Sequence, residues 1–309
     1  MTISTRPSAR PPLLFRRRVL QAAGAAALLG VAGCGSPLPL ARAPATGPGD
    51  PAARKRVLDS AAVHGWEALR STRDIAVAYD GGWRPLIGRI QPEVVDAGFR
   101  GASEERLLPG QGVTAQHYRG PRGSKLVHWQ RGPSQVGVWR NEQPDEAAAA
   151  RDAAALVADA YVYFLLGPMA LALRPGFDDM AFQLSGTERV NGRLCDVVQA
   201  DLAPGFGFAA RDRVALSIDR DDGVARRLRL TLEGAAGTRG AVAYVDTFEH
   251  RRLFGILWPM RSYEEVEHPI RLPAHDWWIT GLDLNRGYAA EALAGPRWAE
   301  RAALRASPL

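Results

Sequence analysis

Thr187-Glu188-Arg189-Val190-Asn191-Gly192-Arg193-Leu194-Cys195-Asp196-Val197-Val198 is the stretch whose reading decides the fold. Asn191-Gly192 lies between two runs, Thr187 to Val190 and Arg193 to Ala200, and both turn residues accept the positive φ that a tight two-residue hairpin demands. Asp222-Gly223 repeats the signal. Before it, Val214, Leu216 and Ile218 alternate with Arg213, Ser217 and Asp219; after it, Leu228, Leu230 and Leu232 alternate with Arg227, Arg229 and Thr231. Such a period of two marks antiparallel strands with one face on a core and the other in water.

The same period recurs outward along the chain. Ile75, Val77 and Tyr79 alternate with smaller or polar neighbours, and short runs recur at Gly112 to Arg119, Lys125 to Gln130 and Gln135 to Arg140. Further strands are expected over Ala241 to His250, Leu257 to Glu267 and Asp276 to Leu284, giving roughly ten or more in one continuous sheet. Glycine and proline punctuate them throughout, which suits antiparallel connections better than parallel crossovers. Two helices interrupt the pattern. Asp50-Pro51 offers an N-cap and a first-turn proline, and Leu58, Ala61, Ala62, Trp66 and Leu69 keep helical spacing, so one helix is expected over Pro51 to Arg70. The second places Pro144, Asp145 and Glu146 in its first turn and gathers Leu156, Val157, Ala160, Tyr161, Phe164 and Leu165 on one face, with Gly167-Pro168 as the stop. That face is expected to bury against the concave side of the sheet. The fold class is therefore mainly β (α+β), with residues 51–309 as a single β-rich domain.

The N-terminal segment gives an address. A basic region ending at Arg16-Arg17-Arg18 precedes an apolar stretch from Val19 to Val31, too short for a transmembrane helix, and Val31-Ala32-Gly33-Cys34 closes it. Val31 to Cys34 resembles the lipobox of bacterial lipoproteins, so residues 1–34 read as a signal peptide with Cys34 as the lipid-attachment residue and the membrane as a partner through that anchor. Phe15-Arg16-Arg17-Arg18-Val19-Leu20-Gln21 also resembles the twin-arginine export motif, although the arginines serve equally as the basic end of an ordinary secretory signal. By the same resemblance, Gly35 rather than Asp after the cysteine implies the periplasmic face of the outer membrane. Pro37, Pro39, Pro44 and Pro48 make residues 35–50 a proline-rich tether of up to about 50 Å.

Charge excludes one class of partner. The chain carries a formal +6, but residues 1–34 hold five arginines and no acid, which leaves +1 from residue 35 onward. No basic footprint for nucleic acid remains.

The order of elements, together with Asn191 to Val198 and Leu216-Ser217-Ile218-Asp219-Arg220-Asp221-Asp222-Gly223, resembles the LolA/LolB-like periplasmic lipoprotein-carrier superfamily over about Pro51 to Asn285. The resemblance implies a curved antiparallel sheet forming an unclosed barrel with helices on its concave side, and a hydrophobic ligand such as a lipid or an acyl chain, bound without catalysis. A curved sheet either fills its interior with side chains or encloses an apolar cavity, and the sequence leaves both open. Trp83, Trp129, Trp139, Tyr161, Phe164, Phe182 and Trp258 are candidate ligand-lining residues or ordinary core. Of the adjacent pair Trp277 and Trp278, one must point away from the core. It then marks a ligand mouth, a membrane contact or a partner surface, or simply caps the strand. A membrane-anchored module binding another envelope protein is the alternative function.

Other motifs fail on context. Gly205-Phe206-Gly207-Phe208-Ala209-Ala210 matches the dinucleotide fingerprint as text, yet Arg211 onward alternates as a strand instead of opening a helix, so no cofactor is expected. Ser103 lacks the glycine of a nucleophile elbow. The six histidines show no metal-site spacing, and only His268 and His275 with Glu267 and Asp276 offer a conceivable acid-base or metal cluster for a hydrolase. Asp178-Asp179 and Glu264-Glu265 are paired in sequence, but strand neighbours diverge. Cys195 is expected as a buried structural thiol.

Overall fold

The computed structural model describes residues 49–301, so Cys34, the signal peptide and most of the tether lie outside the described residues. Helices α1 (Pro51–His64) and α2 (Trp66–Arg70) lead into β1 (Ile75–Trp83), α3 (Pro85–Ile90) and α4 (Pro92–Val95). Strands β2 (Ala102–Leu108), β3 (Val113–Gly120), β4 (Gly123–Gln130), β5 (Gln135–Arg140) and β6 (Gln143–Pro144) then run as a meander up to α5 (Ala148–Leu166) and α6 (Pro168–Ala172). After these come β7 (Phe182–Val190), β8 (Arg193–Leu202), β9 (Asp212–Asp219), β10 (Ala225–Thr231) and β11 (Val242–Phe248). A small hairpin of β12 (Arg251–Leu253) and β13 (Ile256–Trp258) precedes β14 (Arg261–His268), β15 (Leu272–Leu284) and α7 (Trp298–Arg301).

Thirteen strands form one antiparallel sheet in the order β6-β5-β4-β3-β2-β1-β15-β14-β11-β10-β9-β8-β7. The 13-residue β15 pairs with both β1 and β14 and so joins an N-terminal meander to a C-terminal one. The terminal strands β6 and β7 do not pair with each other, and the expected unclosed sheet is what forms. Each edge has its own protection: β6 is two residues long and ends in Pro144, and β7 carries a bulge between Leu184 and Thr187. Both expected hairpins are present, with Asn191 at φ 49° and Gly192 at φ 81° between β7 and β8.

The alternation of β9 and β10 sorts as their sequence requires. Val214, Leu216, Ile218, Leu228 and Leu230 join Ala53, Val57 and Ala61 of α1 and Leu165, Leu166 and Met169 of α5 and α6 in the main core. On the opposite face Arg213 pairs with Asp201, Arg227 with Asp246, and Arg229 with Glu188 and Glu267. Helix α5 is buried nearly all round. Its alanines Ala154, Ala155 and Ala158 pack close against Val127, Trp129, Val136 and Val138 of β4 and β5, and its larger C-terminal residues fill the main core.

Several boundaries differ from expectation. The first helix breaks at Gly65, which sits at φ 102° and caps α1; a Cβ there would lie 2.4 Å from the Gly255 carbonyl oxygen. Pro144 does not open the second helix, because it pairs with Trp139 in the sheet edge while Asp145 binds Arg140, and α5 starts at Ala148. Pro168 ends α5 but also opens α6. The run Leu257 to Glu267 is two strands in different sheets, interrupted at Pro259-Met260. Strand β2 and helices α3 and α4 had no counterpart among the expectations.

Candidate functional site

Midway along the sheet, the inner face changes character. Alternation on β14, β15, β1, β2 and β3 brings to one side Glu264, then His275 and Trp277, then Tyr79 and Trp83, then Ser103 and Glu105, then Gln116 and Tyr118. The registers Glu264↔His275, His275↔Trp83, Tyr79↔Ser103, Ser103↔Tyr118 and Glu105↔Gln116 place them side by side. Gly81 makes this possible, since a Cβ there would stand 2.7 Å from Trp277 Cβ and 2.4 Å from the Asp276 carbonyl oxygen. Tyr161 descends from α5 and Arg100 enters from the loop after α4, and both line the same small void.

The aromatic rings form a stack. His275 lies between Trp83, 4.2 Å away and 8° from parallel, and Trp277, 4.6 Å away and 20° from parallel. Tyr161 lies beside this pair, its ring centroid 5.7 Å from Trp277 and 6.5 Å from His275. Arg100 Nη1 donates to the Tyr161 hydroxyl at 3.5 Å, and that hydroxyl also shares a hydrogen bond with Nδ1 of His275, 3.1 Å away. The Arg100 guanidinium is 4.4 Å from the Tyr118 ring centroid, 5.5 Å from Trp83 and 5.8 Å from Tyr161, a cage of three π faces. Gln116 Nε2 donates to Glu105 Oε1 at 2.6 Å.

Burial sets the protonation of this cluster. It pushes the carboxyls of Glu105 and Glu264 up to about 7, against the partial opposition of Gln116 and Arg100 at Glu105 and of Arg100 alone at Glu264. Burial, and then Arg100, hold the His275 imidazole well below its ordinary value, so it is neutral. Among the described residues, Arg100 Nε, Glu105 Oε2, Gln116 Oε1, the Tyr118 hydroxyl and Glu264 Oε2 have no hydrogen-bond partner. Five such atoms in one place contrast with the general rule that buried polar groups are satisfied. Arg100 and Tyr118 border a void of about 20 Å³, room for one water-sized group. Chemically, the arrangement can hold a proton near neutral pH and face a negative charge with a guanidinium.

A second cavity lies farther along the same two strands. It measures about 210 Å³ and has apolar walls from Leu107, Val113, Val162, Ala170, Leu173 and Pro175, closed on one side by the turn Pro109-Gly110-Gln111-Gly112. Arg131 and Asp159 also line it, but they bind each other, and Asp159 Oδ2 accepts from Gly207 N at 3.1 Å, so their charges are satisfied. Elsewhere the apolar side chains of sheet and helices pack into the main core.

The nine candidate aromatics divide. Trp83, Tyr161, Phe164 and Trp277 come together around His275, with Phe164 5.4 Å from Tyr161 and 5.9 Å from Trp277. Trp129 packs instead beneath the alanines of α5 and edge-on to Phe208. Trp139 joins Trp298 in a cluster of its own; Phe182 packs on Phe177; Trp258 is buried against the main core and donates Nε1 to Leu253 O at 3.0 Å. Trp278 points outward and is 41% exposed, while Trp277 is buried, as adjacent strand residues must diverge.

The conceivable cluster of His268, His275, Glu267 and Asp276 does not assemble. His275 faces the interior, whereas Asp276 pairs with Arg261 and Glu267 with Arg229 on the outer face. Glu264 and Glu265 diverge in the same way, Glu265 binding Arg271 outside. Residues Gly205 to Ala210 form a loop between β8 and β9 with no helix behind it. Cys195 is buried, and burial pushes its thiol up to about 11. No group of three or more His, Cys, Asp or Glu side chains among the described residues is arranged to hold a metal ion, and no described helix is long and apolar enough to cross a membrane. The sequence reading missed Arg100, which lies in a loop without a signal of its own, and Glu105, Gln116 and Tyr118, whose only signal was polar groups where an inward strand position expects apolar ones.

No protein-family model and no curated protein sequence matches the chain. Among solved structures it is similar to a DUF1329 family protein from Desulfovibrio piger, at 13% identity over 79% of this chain and 96% of that one, with a TM-score of 0.46. A LolA superfamily protein from Nitrosomonas europaea aligns at 11% identity over 78% and 97%, with a TM-score of 0.47. Lipoprotein LppX from Mycobacterium tuberculosis aligns at 10% identity over 78% and 99%, with a TM-score of 0.28. The structures it is similar to thus include one named for the LolA superfamily.

Proposed function

We propose that this chain is a lipid-anchored protein of the bacterial envelope, attached through Cys34 and a tether over residues 35–50, whose β-rich body binds one apolar chain of acyl type without catalysis. The observation that carries this reading is the cavity of about 210 Å³ beneath α5 and α6. Its apolar walls and internally satisfied ion pair favour a hydrocarbon over a polar solute. Its size bounds the ligand, because small-molecule sites commonly begin near about 300 Å³. A single chain fits these walls, and a multi-chain lipid requires the helices to move off the sheet.

Native mass spectrometry of the protein from residue 35 onward tests the reading. A bound apolar molecule, or its stoichiometric uptake on addition of a fatty acid, is expected; a mass that stays ligand-free after such addition contradicts it. The exposed Trp278 favours a second reading, docking of another envelope protein on the outer face. Stable co-purification of a protein partner that a Trp278→Ser substitution abolishes, with no lipid bound, selects that reading instead.

A further inference from the structure

Arg100 is a half-buried guanidinium that makes no ion pair among the described residues. Its polar contacts are the long bond to the Tyr161 hydroxyl and a bond of 3.3 Å from Nη2 to Val94 O, and its Nε has no partner. Other part-buried arginines reach a carboxylate, Arg131 at Asp159, Arg140 at Asp96 and Arg227 at Asp246, and the buried Arg174 is satisfied by the Tyr163 hydroxyl and Pro204 O. Acidic groups act on Arg100 only from beyond ion-pair distance, which leaves its donors short of partners, and the planar fork of a guanidinium matches a carboxylate.

The position of Arg100 relative to the apolar cavity supplies the second observation. Inner-face residues of β2 run Ser103, Glu105, Leu107, and those of β3 run Tyr118, Gln116, Thr114 in the same direction. Ser103 and Tyr118 border the void at Arg100, whereas Leu107 and Thr114 line the apolar cavity. Four residues of strand separate them, about 13 Å. On these two strands the Glu105–Gln116 pair stands between, held by one hydrogen bond, and each partner has an unpaired oxygen.

We propose that Arg100 is the headgroup site of the same ligand: a single-chain amphiphile whose carboxylate meets the guanidinium and whose tail runs along β2 and β3 beneath α5 into the apolar cavity once Glu105 and Gln116 part. This rests on the chain-binding reading above. The Tyr118 hydroxyl, buried and unpartnered, is a further donor to the bound carboxylate. A cationic headgroup would meet like charge in the aromatic cage, and a neutral one would leave Arg100 unpaired.

Isothermal titration calorimetry with three probes of equal chain length, dodecanoate, dodecanol and dodecyltrimethylammonium, tests it on the protein from residue 35 onward. Dodecanoate should bind about ten- to a hundredfold tighter than dodecanol, the range expected of a charge-assisted hydrogen bond, and the ammonium should bind weakest. Arg100→Gln should bring the dodecanoate-to-dodecanol ratio close to one. Equal affinity of the two probes for the unaltered protein overturns the headgroup site while chain binding stands, as does a ratio that Arg100→Gln leaves unchanged. Failure of every probe to bind overturns both readings.

Discussion

Glu264 lies buried on the inner face beside His275, and its Oε2 has no hydrogen-bond partner among the described residues. Burial raises its carboxyl from 4.5 to about 7, so folding keeps a proton that the unfolded chain releases near pH 4.5. Between these values the native state binds more protons than the unfolded state, and stability falls as pH rises. Above pH 7 the loss levels off at about 3 kcal/mol for this one group. The histidines act in the opposite direction. His64 is lowered to about 3, His117 and His250 to about 4, and His275 well below 6.5, in each case with burial the largest cause. They fold neutral, and their contribution is lost as pH falls below the unfolded value of about 6.5. The absolute stability curve therefore mixes both effects, and a difference isolates the carboxyl. Glu264→Gln keeps the shape and removes the titration. Its stability relative to the unaltered protein, from urea denaturation, should improve by about 2–3 kcal/mol between pH 5 and pH 8. The histidine terms cancel in that comparison. A gap constant to within about 0.5 kcal/mol across this range would refute the buried, uncompensated carboxyl.

Other outcomes are expected at particular positions. Gly110 lines the apolar cavity, and a Cβ there meets nothing within 4 Å; Gly110→Phe should fill the cavity and abolish fatty-acid uptake while the thermal midpoint stays close to that of the unaltered protein, and undiminished uptake would place the chain elsewhere. Gly65→Ala must hold φ 102° and meet the Gly255 carbonyl at 2.4 Å, so a loss of about 1–3 kcal/mol in denaturant titration is expected, and a neutral or stabilising effect would contradict the observed break between α1 and α2. Cys195 is the sole thiol from residue 35 onward. Buried and held largely as the thiol, it should resist alkylation at pH 8 until denaturant is added, and rapid native labelling would show its strand to be open.

What the sequence made legible, and what it hid, share one cause. The paired strands at Asn191-Gly192 and Asp222-Gly223 were readable because their turns need positive φ and their inward residues Val214, Leu216, Ile218, Leu228 and Leu230 are apolar. Strand β2 was not, because Ala102 to Leu108 reads Ala-Ser-Glu-Glu-Arg-Leu-Leu and sends Glu105 inward, which erases the period-two signal. The residue that hid the strand is the one that lies between headgroup void and apolar cavity. Local sequence rules fail where a site departs from them. The aromatics were visible singly, but their grouping was not: Trp83 and Trp277 meet through the β1–β15 pairing, a contact between the two halves of the chain that no local pattern encodes, and Tyr161 joins them from α5. Pro144 misled because a proline before acids fits a helix start, whereas an edge strand tolerates it equally.

On this view a hydrocarbon chain lies in the cavity beneath α5 and α6. Affinity measured across saturated fatty acids of increasing length is the most direct test. Each added methylene buried there should tighten binding by about 0.8 kcal/mol, roughly fourfold, until the cavity is full and the affinity levels off. Affinity independent of chain length would contradict the claim.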